Sequence, residues 1–78
     1  MRELDFIYNN YKYTIRAINL NGGEWTVKLF LDSDPIEGFF VSFSDEVYRD
    51  AKNNLPYEDF IEFAMKHIKE AFISSQAS

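Results

Sequence analysis

His67 is the one imidazole in a 78-residue chain that has no cysteine, and that narrows the chemistry at once. A triad or metal cluster built on imidazoles has no second member within the chain, and thiol nucleophiles and cysteine metal sites are excluded. His67 stands four residues after Phe63, at the margin of an apolar helical stripe, and reads as a boundary residue. Asp32-Ser33-Asp34 begins like a calcium loop, but Pro35 and Glu37 stand where such a loop requires a ligand and a turn glycine, so a solvated turn is expected.

The carboxylates Glu58, Asp59 and Glu62 have the types for general acid and base work, yet their grouping is that of acids at a helix start. Gly22-Gly23 falls in a hairpin, and Gly38 precedes a strand rather than a helix, so neither forms a phosphate cradle. Ser33, Ser42 and Ser44 have no neighbouring base. No catalytic, cofactor or metal residue is assigned, and a non-enzymatic protein is expected.

The charge pattern narrows the partners. Of a formal net charge of -5, residues 1–30 contribute +1, residues 31–62 contribute -7 and residues 63–78 contribute +1. Lys and Arg are scattered singly, without the clustered footprint that a phosphate backbone requires, so direct nucleic-acid binding is not expected. No apolar run approaches the roughly 20 residues of a membrane span, and no basic-then-apolar leader opens the chain. With no cysteine, the expectation is a cytoplasmic protein.

At 46% hydrophobic side chains, residues 1–78 make one small α+β domain with a polar tail at 74–78 expected to fray. A chain this short struggles to offset an ordering cost of about 1 to 2 kcal/mol per residue. Its 14 aromatic residues, or a second copy, are the expected answers.

The elements follow from spacing. Residues 4–8 and 11–18 flank Asn9-Asn10, a pair suited to a two-residue type I′ turn. That turn sets Tyr8 opposite Tyr11, Phe6 opposite Tyr13 and Leu4 opposite Ile15 on one face. On the other it sets Ile7 opposite Lys12, Asp5 opposite Thr14 and Glu3 opposite Arg16. Residues 24–31 alternate next. A loop of Leu20, Asn21 and Gly22 places Ala17 against Trp25 and Ile15 against Val27, with Gly22 left-handed. After a break at 32–35, residues 38–43 form an edge strand with Leu31 facing Phe39 and Leu29 facing Val41.

Ser44 caps a short helix with Val47 and Ala51 turned inward, and Asn53-Asn54 ends it. Pro56 opens a long helix whose stripe is Tyr57, Phe60, Ile61, Ala64, Ile68, Ala71 and Phe72, with Leu55 stapled to Phe60. The predicted architecture is a four-stranded antiparallel meander packed on a carboxy-terminal helix, with the short helix between them.

This register lines up Ile7, Lys12, Phe30 and Phe40 in one row on the face away from the helix, where two phenylalanines need a partner. Phe63 and His67 form a second off-stripe pair. These six residues are the candidate interface, and residues 38–43, apolar and uncharged at an edge, are a route to a homodimer. The expected function is a protein-binding or self-associating module. The alternative is an acidic decoy that occupies a nucleic-acid-binding protein through residues 32–62; a small-molecule or catalytic domain would require a polar pocket that the sequence does not announce.

Overall fold

The apolar alternation resolves into four strands, β1 (Arg2–Tyr8), β2 (Tyr11–Leu20), β3 (Glu24–Leu31) and β4 (Asp34–Ser44), followed by α1 (Asp45–Asn54) and α2 (Phe60–Ala77). The computed structural model describes residues 2–20, 22–54 and 60–77, with the backbone alone at residues 20 and 51–54. The strands form one antiparallel sheet in chain order, the expected α+β meander. The Leu55–Phe60 staple, Pro56 and Tyr57 lie in part or whole outside the described residues, as does the side chain of Ala51.

The first hairpin has the predicted register, residue for residue, from Tyr8↔Tyr11 to Glu3↔Arg16. Asn9 (φ 50°) and Asn10 (φ 69°) take the two left-handed positions of its turn, where a short amide side chain is tolerated. The second hairpin departs from expectation. Its pairs are Ala17↔Val27 and Ile15↔Leu29, a slip of two residues from the predicted Ala17 against Trp25, because pairing extends to Leu20↔Glu24 and the loop begins after Leu20. Since the slip is even, each side chain keeps its face. Gly22 takes the left-handed position as expected (φ 70°).

The third hairpin differs more. Residues 32–35 do not break the sheet: Asp32 (φ 51°) and Ser33 (φ 75°) make a two-residue turn, and Asp34 and Pro35 pair at once with Leu31 and Phe30. The register then jumps, so that Phe40 meets Lys28 and Val41 meets Val27, in place of the predicted Leu31 against Phe39 and Leu29 against Val41. Residues 36–39 bulge where β3 has Leu29 alone. Gly38 supplies the left-handed backbone of the bulge (φ 88°).

Odd-numbered side chains of β2 and β3 look toward α2. Ile15, Ala17, Val27 and Leu29 are fully buried against Ile61, Ala64, Met65, Ile68 and Phe72 of the helix. The helical stripe is therefore corrected at two positions. Met65 is buried and Ala71 exposed, because the line of contact runs through 61, 65, 68 and 72. Phe72 is the hub, with ring centroids 4.7 Å from Tyr13, 5.3 Å from Phe39, 6.0 Å from Tyr8 and 6.2 Å from Phe6. Residues 74–77 continue α2, and Ser75 Oγ donates to the Phe72 carbonyl at 2.8 Å.

Ser44 caps α1 as expected, its Oγ accepting the Val47 N–H at 3.2 Å. Val47 itself points outward, 47% exposed, contrary to expectation. Tyr48 is the ring that turns in, 5.4 Å from Trp25. Asp45 fastens the helix to the second hairpin: Trp25 Nε1–H donates to Oδ1 at 3.2 Å, Arg49 Nε lies 2.9 Å from Oδ2, and the Asp45 N–H donates to the Gly23 carbonyl at 3.3 Å. This contact holds α1 at the far end of the sheet from the Asp32-Ser33 turn.

Candidate interaction surface

On the face away from α2, the first two strands satisfy each other. Arg16 Nε sits 2.7 Å from Glu3 Oε2, Thr14 Oγ1 donates to Asp5 Oδ1 at 2.8 Å, and Lys12 Nζ lies 3.6 Å from Asp5 Oδ2. The row that contains Glu3 and Arg16 continues to Lys28 and Phe40, and the row of Asp5 and Thr14 continues to Phe30 and Pro35.

The predicted single row of Ile7, Lys12, Phe30 and Phe40 is therefore corrected. The slip in the second hairpin brings Thr14 rather than Lys12 opposite Phe30, and the bulge carries Phe40 to the row of Lys28. Ile7 is 75% exposed beside the Asn9-Asn10 turn with Lys12 across from it, away from the phenylalanines.

The two phenylalanines have different surroundings. Phe30 is half-buried, with Pro35 across the strand pair and the Arg16 guanidinium 5.1 Å above its ring. Phe40 is 60% exposed, so neither α1 nor the segment through Ile36 folds over it. Beside it the bulge opens a groove of about 430 Å³ lined by Lys28, Pro35, Ile36, Glu37, Gly38 and Phe40. Its walls are largely apolar, with one cation and one anion. Among the described residues neither Lys28 nor Glu37 has an ion-pair partner. Sequence reasoning found Phe40 through strand parity; it missed the groove, whose signal was Gly38 within an otherwise regular apolar run.

Phe63 and His67 lie on the side of α2 opposite its buried residues, and with Lys66 and Glu70 they line a shallow depression of about 190 Å³. Phe63 is 53% exposed. Helix and sheet separate this pair from Phe30 and Phe40, so the six predicted residues form three places rather than the expected row and off-stripe pair. Glu62 is held by Arg2 at 3.4 Å, while Glu58 and Asp59 lie outside the described residues. Among the described residues no three His, Asp or Glu side chains converge as a metal-ligand set, and no helix is long and apolar enough to cross a membrane. No family model, curated protein or solved structure matches this chain.

Proposed function

We propose that this protein is a non-enzymatic protein-binding or self-associating module, working through the free edge of β4 and the Phe40 side chain beside it. One observation carries the reading: a large ring, 60% exposed, stands on an edge strand next to an apolar groove. Backbone groups on such an edge can bind another strand, and the ring and groove give that strand something to recognise. Neither nucleic acid nor a membrane is a direct partner in this reading, and a cytoplasmic location belongs to it.

The test compares wild type with Phe40→Asp in sedimentation at high micromolar concentration and in capture from an extract of the source cells. The expected result is a dimer or one specific captured protein with wild type, lost in the variant while thermal stability is kept. A wild type that is monomeric and captures the same proteins as the variant would sink the proposal.

A second reading, an acidic decoy for a nucleic-acid-binding protein, draws on the exposed acids Asp32, Asp34, Glu37 and Glu46, none of which is ion-paired among the described residues. It expects capture of a basic protein that weakens steeply as salt rises from 50 to 300 mM, about the range over which the screening length falls below 10 Å. Capture indifferent to salt removes it.

A further inference from the structure

We propose that the β4 edge takes an extended peptide segment with an apolar centre and Lys or Arg at both ends, added to the sheet as a fifth strand. The inference rests on the protein-binding reading above and names the chemistry of the partner.

The phase of the ladder identifies the backbone groups available. The two residues flanking a two-residue hairpin turn exchange both backbone hydrogen bonds, and every second pair after them does the same. The turns at Asn9-Asn10 and Asp32-Ser33 start from Tyr8↔Tyr11 and Leu31↔Asp34, and they agree on one phase across β2 and β3. Odd residues of β3 face β4; past the bulge, Val41 and Phe43 face back toward β3. The N–H and C=O groups of Phe40 and Ser42 and the N–H of Ser44 are thereby directed at the free edge, while the Ser44 carbonyl, at the cap of α1, belongs to the helix. Pro35 fits the same phase, because its missing N–H falls on the outer side of an edge strand.

Charge then selects the occupant. Residues 38–44 carry no charge, whereas Asp34 and Glu37 precede them and Asp45 and Glu46 follow. Asp45 is occupied by Trp25 and Arg49, but Asp34, Glu37 and Glu46 are exposed and, among the described residues, without ion pairs. A second copy paired antiparallel about a two-fold axis would bring the Glu37 end of one strand toward the Glu46 end of the other. Acid would face acid, in a chain already at -5. A segment with an uncharged centre and basic ends meets both acidic ends, whichever way it runs. Lys28, opposite Phe40, stands beside the centre of the site and does not oppose those ends. The groove beside Phe40 would receive one apolar side chain of the added strand.

The test uses two nine-residue peptides with the same alternating Val and Thr centre, one flanked at each end by two lysines, the other by two glutamates. Amide resonances of the whole chain report where each binds. The lysine peptide is expected to shift Phe40 and Ser42 and to bind about tenfold tighter than the glutamate peptide, an advantage lost at high salt. Equal binding of both peptides at those amides overturns the charge inference while leaving the protein-binding reading intact. Shifts confined to α2 around Phe63 and His67, or none with either peptide, overturn both. A free protein that sediments as a dimer joined through β4 and resists the lysine peptide also overturns the inference, in favour of a second copy.

Discussion

Among the described residues the sheet has two free edges, β1 and β4, and these strands are built in opposite ways. β1 carries Arg2, Glu3 and Asp5, all engaged: Glu3 with Arg16, Asp5 with Thr14 and Lys12, and Arg2 with Glu62 across to the helix. A strand approaching this edge meets fixed charge, which is one way that natural sheets block unwanted pairing. β4 has no charge over residues 38–44 and holds its acids just beyond, with an exposed ring and a groove between. The difference teaches that one edge carries paired charge along its length while the other keeps its charge at the ends, which is the contrast that the proposed strand addition at β4 rests on.

The comparison can be broken at its common anchor. Phe72 touches Phe6 and Tyr8 on one edge strand and Phe39 on the other, so Phe72→Ala should loosen both edges together. We expect a loss of about 3 to 5 kcal/mol in urea unfolding, with faster amide exchange in both strands. Loosening of only one edge would show that the strands are anchored independently.

Gly38→Ala acts on β4 alone. An added Cβ would meet nothing within 4 Å, so the cost is the left-handed backbone, about 1 to 2 kcal/mol. Amide exchange should quicken across residues 36–41 and stay unchanged in β1. A neutral effect on stability would mean that the bulge rearranges without cost.

Arg16→Ala tests the charged edge. Losing the Glu3 pair and the cation over Phe30 should lower stability by about 0.5 to 1 kcal/mol in thermal unfolding, and less at 1 M salt. An effect above about 2 kcal/mol would show that the polar ladder is a structural core rather than a guard. Phe40→Lys should change stability least, by about 0.5 kcal/mol or less, while abolishing association at β4. A large loss of stability would show that the ring supports the sheet and is not held out for a partner.

The extent to which each edge could be read from sequence follows the turn chemistry. Asn9-Asn10 permits one common turn, and that turn fixed every pair of the first hairpin. Parity alone governed the second. Loops beginning at Leu20 or after it preserve the same faces and the same number of pairs, since the observed register gains Asn19↔Trp25 and Leu20↔Glu24 and gives up partners for Tyr11 and Lys12, so alternation does not choose between them. In the third, Asp32-Ser33 is a weaker turn signal than an Asn-Gly pair, and Pro35 reads as a breaker until its place on an outer strand is known. The burial of odd-numbered residues and the exposure of Phe40 survived these slips because both depend only on even or odd position. The groove did not, since it arises from residues 36–39 leaving the ladder, which alternation cannot express.

The single tryptophan gives this molecule an internal optical gauge. Trp25 is held by Asp45 through its indole N–H and lies against Tyr48, so its environment depends on α1 staying docked. Emission from that indole should therefore report detachment of the short helix, while far-ultraviolet dichroism follows the sheet and α2. Divergence of the two melting curves would identify α1 as a separately yielding part, and coincidence would mean that the far end of the sheet and its helix give way together.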